Sequence, residues 1–319
     1  MAQRLFARPR ALPSPQERPP ARRCTVRTSA LLAALLAAVV GCSADRPSFR
    51  IGYMVCNSLS ETQERFAPLT AYLSEATGAR FEAAYLDTVD VESTLARGEV
   101  DFTHTNSLLY VTLHARHGLR LVAAEKRGAF GSMTRGAIIT RRNSGIATLA
   151  DLRGKRFVFG PQWAPFGFLA EYALLLDAAI DPERDLGYYA IPHGSWKHEK
   201  IIYSVLYGAF DAGAAPLIDL EEMTAEGKIA PDDLTVLART DLAPYCTVGA
   251  AVGVDTRWVE RVREVLLALD EKATGVVGAE RLAVLHRARV TGFEALRDED
   301  YDILRKWAKA ARLPPYEEY

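Results

Sequence analysis

Short β-type runs alternate with amphipathic helices along most of this chain, and glycine repeatedly stops the helices. Phe49–Val55 is a β-type run leading into a polar loop, Cys56–Thr62. Glu64–Glu75 follows, with Phe66, Leu69 and Leu73 at helical spacing and a stop at Gly78. Arg80–Tyr85 is a second strand, Val91–Arg97 a short helix closed by Gly98, and Val100–Thr103 a third strand. Glycine suits such a stop because it takes the left-handed conformation after a helix without strain. Ser107–Arg116 reads as a helix ended by Gly118, with a strand at Leu119–Ala123. Strands alternating with helices predict an α/β fold built on mostly parallel, doubly wound sheets.

The second half implies two lobes. Gly136–Thr140 reads as a strand crossing between them, and Leu234–Arg239 and Gly249–Val254 flank the return crossing. Arg257–Leu269 is a strong amphipathic helix, and Leu282–Leu285 and Asp300–Ala310 are read as the C-terminal helices. Lobe one is then 48–138 plus 241–319, and lobe two is 139–240. No low-complexity linker separates them, which fits two crossing strands acting as a hinge. A weak internal repeat supports the pairing. Gly98-Glu-Val-Asp101 follows one helix, and Gly208-Ala-Phe-Asp211 follows another, Glu199–Tyr207. Each leads through a short strand to a loop, Thr103–Ser107 with Thr105 and Asn106, or Gly213–Pro216. Such loops at strand C-terminal ends are where open α/β sheets bind ligands.

The N-terminus is a targeting segment. Ala30–Val40 is an apolar run of 11 residues preceded by many arginines, the layout of a secretory signal. It is shorter than the ~20 residues that span a bilayer. It ends Val39-Val40-Gly41-Cys42, which resembles a bacterial lipobox, so residues 1–41 are expected to be removed and Cys42 lipidated. Residues 1–25 are rich in Pro and Arg without periodicity, and a start near Val26 would leave them outside the natural protein. The formal net charge is −1 and no basic stripe is present, so nucleic acid is not an expected partner. The only expected membrane contact is the lipid anchor.

By this point the motifs resemble the phosphate/phosphite/phosphonate-binding proteins that serve ABC importers. Phe66-Ala-Pro-Leu69, with Tyr72-Leu73 and Thr77-Gly78, is similar to that family's first helix, and Gly98-Glu-Val-Asp-Phe with Tyr110 to its next segment. Ser144–Lys155, containing Leu149-Ala-Asp-Leu-Arg-Gly-Lys155, is the most specific piece. Glu183 after Ile180-Asp-Pro, then His198-Glu199 and Gly208–Asp211, follow in the family's order. The resemblance implies a two-lobed type II periplasmic-binding-protein fold with two hinge crossings. It also implies an ABC permease or a sensor kinase as membrane partner, a small-molecule or oxyanion ligand, and no cofactor or resident metal.

The pocket departs from the family. There, Ser/Thr hydroxyls and backbone N–H groups at a helix start hold the oxyanion, where the helix dipole favours negative charge. Here that corner is Ala164-Pro165-Phe166-Gly167, which keeps the N–H groups of Phe166, Gly167 and Phe168 but no hydroxyl. Each hydroxyl bond to a charged group is worth about 1.5–3 kcal/mol, so a simple phosphonate is disfavoured. Thr88 and Thr134 stand where relatives often carry tyrosine, Cys246 stands where they carry an acid, and His198 falls on the ligand histidine. Trp163, Phe166, Phe168 and Trp196 crowd the same corner, either as packing or as a surface for a planar or cationic ligand.

Of four cysteines, Cys24 is lost with the signal and Cys42 is consumed by lipid. Cys56 and Cys246 remain, both on the cleft side of the alignment. Three readings stay open: a disulfide, a soft-ligand pair for arsenite or another thiophilic species, or unpaired small residues. A rival class is an enzyme with one of these thiols as nucleophile and His198 as base. No glycine-rich phosphate motif or paired carboxylate accompanies it, and a binding protein is the preferred reading.

Overall fold

The computed structural model of the protein describes residues 46–192 and 198–316. The expected signal segment 1–41, with Cys24, and also Cys42 and Trp196 lie outside the described residues. Among the described residues no helix is long and apolar enough to cross a membrane.

The chain opens with β1 (Ser48–Met54), α1 (Leu59–Thr77), β2 (Arg80–Leu86), α2 (Thr88–Ala96), β3 (Phe102–Asn106), α3 (Ser107–His117) and β4 (Arg120–Lys126). The short β5 (Met133–Thr134) precedes β6 (Gly136–Arg141), β7 (Arg156–Val158), α4 (Ala170–Asp177), α5 (Pro182–Asp185) and β8 (Tyr188–Ala190). Then come α6 (His198–Leu206), β9 (Ala212–Pro216), α7 (Leu217–Ala225), β10 (Leu234–Arg239), β11 (Ala243–Pro244) and β12 (Cys246–Ala250). The C-terminal part holds α8 (Thr256–Leu267), a hairpin of β13 (Thr274–Val277) and β14 (Glu280–Ala283), α9 (Val284–Ala288), β15 (Gly292–Glu294) and α10 (Asp302–Ala310).

The strands form two main sheets. One has the order β15-β4-β12-β3-β1-β2, the other β10-β6-β9-β7-β8. In the first, β12 and β15 run against the rest; in the second, only β6 does. The chain passes between the sheets twice, through β5 and β11, and these two segments pair with Thr134 opposite Ala243. α1 and α8 cover the first sheet with a core that includes Ile51, Phe66, Leu69, Leu73, Phe102, Val259 and Val262. α6 and α7 cover the second with Ile139, Val158, Ile201, Val205 and Met223. A further continuous core runs from Leu109 and Tyr110 on α3 to Phe157, Leu169 and Leu175, and takes in Trp307 of α10.

The glycine-aspartate repeat has a defined physical role. Gly98 and Gly208 adopt φ of +68° and +78°, and each turn delivers an aspartate to a neighbouring strand. Asp101 N–H donates to Arg50 O, and Arg50 N–H donates to the Asp101 carboxylate at 2.7 Å. Asp211 N–H donates to Arg156 O, and Arg156 N–H donates to the Asp211 carboxylate at 3.0 Å. The repeat is therefore a strand clasp, present once in each sheet.

Several boundaries differ from the sequence reading. α1 begins at Leu59, inside the expected polar loop, because Ser58 caps it by accepting from Glu61 N–H. Its first turn is polar, so apolar periodicity does not register there. Thr103–Asn106 and Gly213–Pro216, expected as loops, are buried strand. β12 starts at Cys246, earlier than the expected Gly249. Residues Leu282–Leu285 straddle the end of a hairpin and the start of a short helix, an ambiguity inherent in short apolar runs.

Candidate functional site

A cavity of about 790 Å³ opens at the C-terminal ends of strands from both sheets, the position at which α/β folds bind ligands. Cys56, Thr88, Asn106, Phe166, His198 and Cys246 line it. Thr105, Thr134 and Gly167 stand outside the lining. Thr105 is buried in β3 opposite Thr247, and Thr134 is buried in β5.

Asn106 is fully engaged. Its side-chain oxygen accepts from Leu109 N–H and caps α3, while its nitrogen donates to Trp163 O at 2.8 Å. That second bond ties the end of β3 to the segment after β7. Phe166 is fully buried, with its ring 6.0 Å from Tyr245 and 6.2 Å from Trp307. Phe168 is buried against Phe159 and Tyr172. Phe168 is a packing residue, whereas Phe166 packs against Tyr245 and Trp307 and also borders the cavity beside Trp163.

The helix-start corner already holds an acid. The chain turns through Phe166 in an extended conformation and Gly167 at φ +88°. The Gly167 N–H, expected to face a ligand, donates to both oxygens of Glu171 at 2.9 and 2.8 Å. Glu171 is fully buried, and burial pushes its carboxyl up to about 8, against the pull of the Gly167, Glu171 and Ala137 amides. The expected anion donor at Gly167 is thus spent on the chain's own side chain. Gly136 permits this, since a Cβ there would lie 2.1 Å from a Glu171 oxygen.

His198 sits over the same corner. A Cβ at Gly160 would approach its Cε1 to 3.0 Å, and one at Gly167 would approach to 2.7 Å, so both glycines make room for the imidazole. Its buried Nδ1 has no hydrogen-bond partner among the described residues. Burial lowers its pKa, more than Asp219 raises it, so the ring is neutral at pH 7.

Neither Cys56 nor Cys246 is in a disulfide. Cys246 opens β12, and Cys56 lies in the loop after β1, on the far side of β3 from β12 in the sheet order. Burial pushes both thiols up, with Arg65 and Arg127 opposing it and Glu125 reinforcing it. Cys56 faces the cavity and is solvent-exposed, so solvent screens its shift, and the stronger perturbation is on Cys246. Neutral thiols are poor nucleophiles.

Charged residues not singled out by the sequence complete the wall. Arg127 bonds Glu222 through Nε at 2.9 Å and also approaches Asp219 at 3.6 Å, joining the end of β4 to α7. Glu125 is buried and accepts or shares a proton with His104 at 2.9 Å; burial works to raise it, but His104 holds it below the usual carboxylate range. Sequence signals existed for Arg127 in this wall and for Glu171 at the helix-start corner. Lys126-Arg127-Gly128 places charge where a strand ends, and Glu171 interrupts an otherwise apolar run from Phe166 to Leu176.

Residues 51–301 match the family model described as ABC transporter, phosphonate, periplasmic substrate-binding protein. The chain is 29% identical over 257 residues to the tetrathionate sensor histidine kinase TtrS of Salmonella typhimurium, covering 76% of this chain and 43% of that one. It therefore spans less than half the length of this curated relative. The fold resembles PhnD1 from Prochlorococcus marinus in complex with methylphosphonate, with a TM-score of 0.69 at 17% identity, covering 83% of this chain and 98% of that one. It also resembles XAC2383 from Xanthomonas citri bound to ATP, with a TM-score of 0.68 at 23% identity, covering 85% and 99%. The α/β architecture is that of a type II periplasmic binding protein, and the chain belongs to the family of periplasmic substrate-binding proteins of phosphonate ABC transporters.

Proposed function

We propose that this protein is an extracytoplasmic, lipid-anchored solute-binding protein whose cleft takes a small sulfur oxyanion of the tetrathionate class rather than a simple phosphonate. The lobes 48–138 plus 241–319 and 139–240 close on the ligand about the paired segments β5 and β11, and the closed form docks on a membrane partner. The observation that carries the change of ligand is the Gly167–Glu171 bond, which spends an amide that the family resemblance assigns to the oxyanion. A tetrathionate-sensing relative supplies the alternative chemistry. Two neutral thiols in the cleft wall are compatible with a ligand containing a chain of sulfur atoms.

The partner is a phosphonate-type ABC permease on the family's own pattern. The sensor-kinase relative favours a second reading, in which the bound form signals to a two-component system. The raised thiols argue against a nucleophilic enzyme on this fold.

A thermal-shift screen of phosphate, phosphite, methylphosphonate, arsenite, thiosulfate and tetrathionate tests the ligand class. A ligand at 100 times its Kd stabilises the fold by about 2.7 kcal/mol. The sulfur oxyanions are expected to raise the melting temperature and methylphosphonate to leave it unchanged. Stabilisation by methylphosphonate alone would overturn the proposal.

A further inference from the structure

The cations that line the cleft are not equivalent. Arg127 meets Glu222 and Asp219, Lys228 meets Glu199 and Glu226, and Arg289 meets Glu61. Arg65, half-buried in the same wall, forms no ion pair among the described residues, and the buried carboxylate that feels its charge, Glu125, is already bonded to His104.

Arg65 is nevertheless held in place. Its Nε and Nη2 both donate to Ala288 O, at 3.3 and 2.8 Å. Its guanidinium carbon lies 4.9 Å from the centre of the Phe66 ring, a cation–π distance. The bonds use one edge of the guanidinium and the ring covers one face. Nη1 has no hydrogen-bond partner among the described residues. Withdrawing a cation partly from water without a directly bonded counter-ion is unfavourable. A guanidinium fixed on one edge with donors left over is pre-organised to receive an oxyanion at small entropic cost. Its charge also acts on both cleft thiols, so the cation and the sulfur atoms share one region of the cavity.

We propose that Arg65 holds the anionic group of the ligand, so that oxyanion recognition has moved from the helix start near Gly167 to the first helix of the chain. This rests on the cleft being a ligand site. The class it fits is an oxyanion with a terminal sulfonate or equivalent group and an adjoining soft portion. The sulfonate oxygens accept from the Arg65 donors, and the soft portion lies toward Cys56 and Cys246.

Calorimetric titration of the purified protein with sodium tetrathionate and sodium thiosulfate tests this, using wild type, Arg65→Gln, Arg65→Lys and Arg142→Gln. Arg65→Gln is expected to weaken the better-binding anion by about 10- to 150-fold, the range for a lost charged hydrogen bond. Arg65→Lys keeps the charge without the fork and is expected to fall between wild type and Arg65→Gln. Arg142→Gln, which removes an exposed cation paired with Asp232 outside the cleft, is expected to stay within about twofold of wild type. The salt dependence of binding should flatten in Arg65→Gln alone. Retention of wild-type affinity by both Arg65 variants would overturn the inference while leaving the functional reading intact. No binding of either anion by wild type would overturn both. Should Arg65→Gln unfold, the Arg65→Lys result decides.

Discussion

Replacing Glu171 by glutamine tests the physical core of this account. Glu171 is fully buried, and its carboxyl titrates at about 8 against an ordinary 4.5. The folded protein therefore holds this proton more tightly than the unfolded chain does. The sign follows from proton counting. Below pH 4.5 both states are protonated and the group contributes no pH dependence. Between 4.5 and about 8 the unfolded chain has released the proton while the folded one retains it, so stability falls as pH rises. Each pH unit in that interval costs about 1.4 kcal/mol, which amounts to about 5 kcal/mol over the whole window as an order of magnitude. Above pH 8 the loss levels off. Glu171→Gln removes the titration but leaves one side-chain carbonyl for Gly167 N–H, at a pH-independent cost of about 1 kcal/mol for imperfect hydrogen bonding. Urea unfolding of both proteins at pH 5, 6, 7 and 8 gives the comparison. The wild type should lose stability relative to the variant across the series, and the difference should reach several kcal/mol at pH 8. Parallel pH profiles would refute the claim that a neutral carboxyl occupies this corner.

Three further outcomes follow from the same geometry. Gly167→Ala places a side chain at φ +88° and a Cβ 2.7 Å from His198 Cε1, so it should lower stability by about 1–3 kcal/mol and weaken ligand binding, read by urea midpoint and titration. Arg127→Gln leaves Glu222 and Asp219 without their cation and should cost about 1.5–3 kcal/mol, measured by chemical unfolding; an unchanged midpoint would show that the bridge between β4 and α7 carries no stability. Cys56 is exposed while burial pushes the Cys246 thiol well up, so iodoacetamide at pH 7 should label Cys56 ahead of Cys246 in the folded protein, whereas the unfolded mature protein should titrate as two free thiols without reductant. A single disulfide in that titration would contradict the structure.

The architecture was legible because its signals are local. Gly78, Gly98, Gly118 and Gly208 each take positive φ where a helix ends, and the α8 apolar spacing maps onto buried Val259, Val262 and Val265. The cleft was legible in part, since strand ends announce themselves and bring Cys56, Asn106 and Cys246 to one cavity. What the sequence hid depends on side-chain direction and long-range pairing. The Gly167 amide and the Glu171 carboxyl are close in sequence, yet only the turn at Phe166 and Gly167 makes them partners. Arg65 precedes Phe66 on a helix whose periodicity assigns it to solvent. Its carbonyl partner, Ala288, lies far along the chain. Thr105 and Thr134 look like cleft hydroxyls by position, but strand pairing turns them into the fold.

The location of a bound anion decides the central claim. A crystal structure of the protein with tetrathionate is predicted to show the oxyanion against Arg65, with Gly167 N–H still on Glu171. An anion seated on Gly167 N–H, with Glu171 displaced, would contradict the account.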